Sequence, residues 1–176
     1  MKVLSVTPEI YPLVKTGGLA DVAGALPRAL AEEGIAVRSL VPGYSSVLDA
    51  LGPGETAAAH DDLFGGPARI LAGRAAGLDL FVIDAPHLFA RVGGPYGYAD
   101  DATRFAALGW VAAEIGRGAV GGFRPDVVHA HDWQAGLAPA YLHYGGAARP
   151  GTVMTMHNLA FQGQVSSHLL GALRLP

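Results

Sequence analysis

The sequence lacks cysteine altogether, which excludes both a disulfide-stapled scaffold and a cysteine-ligated metal site. Charged residues are scarce, at 15% of the chain, and 12 basic and 15 acidic residues give a net charge of −3 without any basic run. Charge-driven binding to nucleic acid or to a membrane surface is therefore not expected. No apolar run approaches the roughly 18 residues of a transmembrane helix, and no signal-peptide pattern opens the chain. We expect a soluble, cytoplasmic globular protein.

Glycine and proline are plentiful, with 25 and 12 of the 176 residues, but they are dispersed without a period. Collagen-like and low-complexity classes are therefore excluded. Hydrophobic residues make up 51% of the chain, and this length suffices for a single domain, residues 1–176, with a sizeable buried core. No terminating element is evident at residues 173–176, so we expect the natural sequence to continue.

Short β-rich runs alternate with segments of helical periodicity. The chain opens with a strand, a glycine-rich loop, a helix and a second strand, which is how parallel, doubly wound sheets begin. Pro27 lies inside the first helical pattern, so we expect it either to kink that helix or to mark its first turn. The sequence thus predicts an α/β fold. Predicted strands cover residues 2–7, 36–41, 68–71, 78–84, 127–130 and 152–156, the third and fourth as a hairpin around 73–77; predicted helices cover 19–30, 100–116 and 133–144.

Polar groups follow three of the predicted strands. Ligands of parallel α/β sheets bind outside the carboxyl ends of the strands, so these groups are expected to converge on one edge. That convergence is a better signal than any single motif. The residues are Glu9, Lys15, Thr16, Gly17, Gly18 and Asp21 after the first strand, His129, His131 and Asp132 at the fifth, and His157 and Asn158 after the sixth.

The loop at residues 15–19 has the chemistry of an anion site. Gly17 and Gly18 allow positive φ and a close approach of ligand to backbone. The N–H groups of the following helix would then face a phosphate or pyrophosphate, and Lys15 would add a mobile positive charge. A plain glycine turn with a surface lysine is an equally good interpretation of the loop alone. The pattern is neither G-x-G-x-x-G nor G-K-[ST], which argues against dinucleotide oxidoreductases and P-loop NTPases.

The segment at residues 129–132 allows three interpretations. His129 and His131 share one face of a strand, so with Asp132 they could bind zinc or iron. They could instead be structural histidines at a strand end, or Asp132 could serve as an active-site or sugar-binding carboxylate. His157 beside Asn158 could orient a polyol. Trp133, Trp110 and Phe105 are expected to serve in packing, whereas Tyr96, in a glycine-rich loop, is expected to be exposed enough to contact a ligand.

Several long motifs in order resemble one enzyme family. They are KTGGLADV at 15–22, IDAPHLF at 83–89, RFAALGW at 104–110, HAHDWQAGL at 129–137 and TMHNLAFQG at 155–163. Together they closely resemble bacterial glycogen synthases and plant starch synthases. The similarity runs through essentially the whole chain.

This resemblance implies the Rossmann-like N-terminal domain of a GT-B glycosyltransferase. Such enzymes move glucose from ADP-glucose to the non-reducing end of an α-1,4-glucan with retention, using neither a metal nor another cofactor. By motif, Lys15 with the Thr16–Gly18 loop would lie against the donor diphosphate. His157, Asp132 and Lys15 would be catalytic, and Asp21, Tyr96 and Asn158 would bind substrate.

The family's second domain, which carries the nucleotide pocket, has no counterpart in these residues. Donor preference between ADP and UDP therefore cannot be read from them, and the chain alone is expected to be inactive. A stand-alone, non-catalytic module that binds glucan or a phosphorylated ligand is the competing hypothesis.

Overall fold

The computed structural model describes residues 1–120, 122–146 and 149–176. The strands are β1 (Lys2–Val6), β2 (Ala36–Pro42), β3 (Glu55–His60), β4 (Ala68–Ala75), β5 (Leu78–Asp84), β6 (Val127–His131) and β7 (Gly151–Thr155). The helices are α1 (Gly18–Glu32), α2 (Ser45–Leu51), α3 (Pro86–Phe89), α4 (Asp101–Gly116), α5 (Asp132–Ala135) and α6 (Leu137–Tyr144), and a 3-10 turn follows at Ser167–Leu169.

The strands form one sheet in the order β3-β4-β5-β2-β1-β6-β7. The strands β5, β2, β1, β6 and β7 pair in parallel with their neighbours in this order. The pairs β3–β4 and β4–β5 are antiparallel. The chain places β2 on one side of β1 and later returns to place β6 on the other. The carboxyl end of β1 is therefore a topological switch point, where doubly wound sheets bind their ligands. The predicted α/β, mainly parallel sheet is confirmed.

The core lies between this sheet and its helices. The central strands are buried on both faces, which explains why they appear in the sequence as short continuous apolar runs instead of an alternating pattern. Leu4, Leu40 and Val128, from three neighbouring strands, are fully buried. Gly109 of α4 lies so close to α6 that an added Cβ would stand 2.9 Å from the backbone nitrogen of Ala138. This close helix contact packs α4 and α6 together beside the strand ends.

The predicted hairpin is confirmed, but its turn is shorter than expected. β4 continues through Gly73 to Ala75, and the turn is made by Ala76 and Gly77, both with positive φ. Glycine fits this strand position because an added Cβ would lie 2.8 Å from the side chain of Leu51 in α2. The sequence analysis missed α2, the four-residue helix α3 and β3. The local signal for β3 is weak, since this strand is alanine-rich and forms by pairing with β4.

Two helix predictions need correction. Pro27 lies in the interior of α1, so it does not mark the first turn. The helix predicted at 133–144 is divided at Gly136 into α5 and α6. Pro139 explains the division, because its ring nitrogen cannot donate to the carbonyl of Ala135 and thereby continue a single helix. Within the described residues, no helix is long and apolar enough to cross a membrane.

Candidate active site

A cleft of about 670 Å³ opens at the carboxyl ends of β1, β6 and β7. The topology predicts a ligand site at this edge, and the polar groups that follow the three strands are brought together there. Seven of the residues singled out from the sequence line the cleft: Thr16, Gly17, Gly18, Tyr96, Asp132, His157 and Asn158. Lys15 and Asp21 lie outside this lining.

Of the two properties expected of the glycine loop, positive φ is not found, whereas open space above the backbone is. Gly17 has φ −151°, which any residue adopts, and Gly18 has no positive φ either. The expectation of positive φ in this loop was therefore wrong. However, a Cβ added to Gly17 or to Gly18 would meet nothing within 4 Å. Because the space above the backbone is empty at both positions, the glycines leave room for a ligand to approach the start of α1.

Glu9 is a site residue that the sequence analysis noted but did not select. Its side chain is only 3% exposed, and its carboxylate accepts hydrogen bonds from the N–H and hydroxyl of Thr16 and, at 3.4 Å, from the N–H of Gly17. These two loop N–H groups are thus already occupied. A bound anion would therefore interact with the first turn of α1, whose N–H groups have no partner within the helix. The available signal was an acidic residue between a buried strand and a glycine loop.

Tyr96 joins a distant loop to the same carboxylate. Its hydroxyl donates to Glu9 Oε1 over 2.5 Å, and its ring packs against Phe105 with centroids 5.8 Å apart. Burial, followed by the hydrogen bond to Glu9, raises the pKa of Tyr96 well above its usual range. The phenol therefore stays protonated and acts as a donor. Tyr96 is half-buried and lines the cleft, where it is open to contact with a ligand.

Lys15 and Asp21 form an ion pair beside the cleft. The Lys15 ammonium lies 2.7 and 2.8 Å from the two carboxylate oxygens of Asp21, with the side chains 45% and 52% exposed. Exposed ion pairs of this kind contribute little stability. Lys15 is therefore held by a partner that a more highly charged anion could replace at small cost.

Asp132 occupies a strained position at the end of β6. Its φ is 55°, in the left-handed region that few residues other than glycine, asparagine and aspartate adopt. In this conformation its carboxylate accepts a hydrogen bond from the backbone N–H of His157 over 2.6 Å. Backbone strain that is maintained by its surroundings is concentrated at functional sites. This backbone conformation favours the interpretation of Asp132 as a functional carboxylate.

Three histidines stack across the ends of β6 and β7. The rings of His129 and His131 are 4.1 Å apart, and His131 Nδ1 lies 3.0 Å from Nε2 of His157. The other nitrogen of His131 bonds to the Ser5 hydroxyl at 3.2 Å, and His129 bonds to Thr155 at 2.7 Å. His131 therefore uses both of its nitrogens within the protein. The hydrogen-bond partners of these histidine rings are side chains, whereas the structural interpretation expected backbone groups.

The charge state of this histidine stack follows from its burial. Burial, followed by the nearby His129 and His157, lowers the pKa of His131 to about 3. Burial and the neighbouring His157 also lower the pKa of His129. His131 is thus neutral at physiological pH. In the part of the chain that the structure describes, no group of three or more histidine, aspartate or glutamate residues is arranged to hold a metal ion.

A second cavity of about 470 Å³ adjoins the first and shares Asp132, Trp133, Asn158 and Phe161 with it. Its remaining wall is mostly apolar and comes largely from residues 154–175. Trp133 lines both spaces and packs edge-on against Phe105, with ring centroids 5.3 Å apart. Trp133 therefore both packs, as predicted, and lines a cavity. His157 and Tyr96 line the first cleft and not the second, whereas Asp132 and Asn158 line both.

Comparison with known proteins agrees with this geometry. The sequence model of the starch synthase catalytic domain family matches residues 2–176. The chain belongs to this family. It is 63% identical over its whole length to a glycogen synthase of Acidiphilium cryptum and 58% identical, over 99% of its length, to glycogen synthase 2 of Bradyrhizobium diazoefficiens. In both cases the chain spans about 38% of the length of the curated relative.

A solved structure of this starch synthase family has the same fold. The catalytic domain of starch synthase IV from Arabidopsis thaliana, bound to ADP and acarbose, superposes on 99% of this chain with a TM-score of 0.78 and 30% identity. This chain covers 37% of that structure. The family predicted from the motifs is confirmed, and so is the Rossmann-like fold of a GT-B glycosyltransferase.

Proposed function

We propose that this chain forms one wall of the active-site cleft of a retaining glycosyltransferase that moves glucose from ADP-glucose to the non-reducing end of an α-1,4-glucan. The observation that carries the proposal is the convergence of Thr16–Gly18, Asp132 and His157 on one cleft in a chain of the starch synthase family. The similar starch synthase IV was solved with ADP and acarbose, which supports a nucleotide-linked donor and a sugar-binding cleft.

The diphosphate would lie at the start of α1. Its charge would be stabilised by the first-turn N–H groups, and the Lys15 ammonium would leave Asp21 to offset the charge that grows on the leaving oxygen. Asp21 would then face the glucosyl side together with Asn158. No metal and no further cofactor enters this scheme.

The acceptor side would be built by Asp132, His157 and Tyr96. The carboxylate of Asp132 accepts the backbone N–H of His157, and both residues line the same cleft. One carboxylate and one imidazole at the reacting carbon suit the stabilisation of positive charge on the sugar and the orientation of the attacking hydroxyl.

We propose that the other side of the cleft comes from a second, C-terminal GT-B domain. The described residues offer donors at the start of α1 on one wall of the cleft, and the chain spans about 38% of the length of the similar glycogen synthases. A cleft with a single wall leaves the reacting carbon open to water and to misplacement. The cytoplasmic location expected from the sequence stays a prediction.

A chimera tests this function. Residues 1–176 replace the matched 38% of the Acidiphilium cryptum glycogen synthase, and incorporation of labelled glucose from ADP-glucose into glycogen is measured. The chimera should transfer glucose, whereas residues 1–176 alone should not. An inactive chimera with normal folding would favour the alternative, a non-catalytic module that binds glucan or a phosphorylated ligand. Turnover by residues 1–176 alone, near that of a complete synthase, would remove the requirement for a second domain.

A further inference from the structure

Glu9 joins two segments of the cleft that are far apart in sequence. Oxygen Oε2 accepts the N–H groups of Thr16 and Gly17, and Oε1 accepts the hydroxyl of Thr16 at 2.7 Å and that of Tyr96 at 2.5 Å. Its own backbone is fixed as well, since Thr7 donates to the Glu9 carbonyl at 2.6 Å. A single side chain therefore links the end of β1, the glycine loop and the loop that carries Tyr96.

The carboxylate of Glu9 has no cationic partner among the described residues: none of their ion pairs includes it. A carboxylate that is 97% removed from solvent is costly unless its oxygens are hydrogen-bonded. Glu9 meets this condition entirely through Thr16, Gly17 and Tyr96. An uncharged side chain would fold here at lower cost, so stability alone gives no reason for a carboxylate.

The groups that Glu9 holds all face the cleft. Thr16, Gly17 and Tyr96 line it together with Asp132 and His157. The Thr16–Gly17 backbone leads directly into the first turn of α1, so its position sets the direction of the N–H groups offered to an anion. The hydroxyl of Tyr96 is directed by the same carboxylate.

We propose that Glu9 is a positioning residue of this cleft: its buried carboxylate fixes the glycine loop and the Tyr96 phenol relative to each other. This inference rests on the proposed glycosyl transfer for its effect on rate. Glu9 is not required to touch the substrate. It acts by holding the diphosphate side and the Tyr96 side of the cleft in one geometry, where misplacement by about 1 Å costs on the order of 100-fold in rate.

Amide exchange in residues 1–176 tests the structural half without any substrate. Glu9→Ala should expose the Thr16 and Gly17 amides and speed their exchange by about tenfold or more. Glu9→Gln should retain most of the protection, because its carbonyl can accept the two N–H groups while its NH2 donates to the two hydroxyls. Unchanged exchange in Glu9→Ala, with the fold intact by circular dichroism, would overturn the proposal.

Turnover in the chimera tests the functional half through a double-mutant cycle. Glu9→Ala should lower kcat by about 100-fold with a smaller change in KM, and Tyr96→Phe should lower it by about tenfold. The double variant should be no worse than Glu9→Ala, since the hydrogen bond between Tyr96 and Glu9 is already lost in that single variant. Independent, multiplicative losses would contradict the coupling. Glu9→Gln should recover a large part of kcat, which a general loss of folding would not predict.

Asp62 provides a matched control. Its carboxylate also accepts a backbone N–H, that of Gly65 at 2.7 Å, but in an exposed turn away from the cleft. Asp62→Ala should deprotect Gly65 and leave kcat unchanged. If the unmodified chimera does not transfer glucose, the proposed function fails, yet the exchange experiment still decides whether Glu9 holds the loop.

Discussion

The carboxylate of Asp132 accepts the backbone N–H of His157 over 2.6 Å and so joins the ends of β6 and β7. This bond crosses between neighbouring parallel strands at the edge where the ligand is expected. It is made with Asp132 in the left-handed region, and it holds that carboxylate against the backbone that follows β7. Two residues selected separately from the sequence are thereby parts of one arrangement.

Asp132 should show separate effects on stability and on activity. Asp132→Asn keeps an acceptor for the His157 N–H and tolerates the left-handed backbone, so the free energy of unfolding should stay near that of the parent. Asp132→Ala loses both advantages and should lower it by about 1–3 kcal/mol. Both variants should lose about 100-fold or more in chimera turnover, because neither carries the charge. Urea unfolding and glucose incorporation measure the two effects, and full turnover in Asp132→Asn would exclude a role for the charge.

Lys15 should act on turnover more than on donor binding. Lys15→Ala in the chimera should raise the activation free energy by about 2–4 kcal/mol, since the ammonium offsets charge that develops on the leaving oxygen. Lys15→Arg should restore little, because the guanidinium is planar and larger than the compact ammonium. Steady-state kinetics with ADP-glucose provide the measurement. Normal turnover in Lys15→Ala would remove this residue from the site.

His131 should make the protein less stable in acid. Folding lowers the pKa of His131 from about 6.5 to about 3, so between these values the unfolded chain binds a proton that the folded chain does not. This contribution to stability is complete above about pH 6.5 and is lost as the pH falls toward 3. His131→Gln should flatten the acid limb of the unfolding free energy, measured with urea from pH 4 to 7.

The exposed His168 is the matched control for this pH experiment, because it lies in the 3-10 turn away from the stacked rings. His168→Gln should leave the acid limb unchanged. An equally steep acid limb in His131→Gln would show that His131 is not the group responsible.

The histidine stack should bind no stoichiometric metal. Both nitrogens of His131 are already hydrogen-bonded, to Ser5 and to His157, so a metal would have to break an existing network. Elemental analysis of the purified chain should find far less than one zinc or iron per molecule, and a chelator should not change chimera activity. About one metal ion per chain would revive the metal hypothesis for residues 129–132.

The motif residues and the fold class were accessible from the sequence because their signals are local. Short apolar runs identify the buried central strands, and glycine with proline marks their ends. Since parallel strands present their carboxyl ends at one edge, polar residues after β1, β6 and β7 could be assigned to a common cleft. The helix predicted at 133–144 failed because the pattern of apolar residues continues past Gly136, whereas Pro139 interrupts the hydrogen bonding.

Only the tertiary structure decided which side chains meet. Glu9 and Tyr96 are 87 residues apart, and no periodicity connects them, so their hydrogen bond arises solely from the way the loops fold over β1. The contact between His131 and His157 likewise depends on the assembled sheet. The low pKa of His131 follows from its burial there. Sequence patterns record which residues face a core or end a strand. Distances, exposed fractions and pKa values depend on contacts between segments remote in the chain, and those exist only once the sheet has assembled.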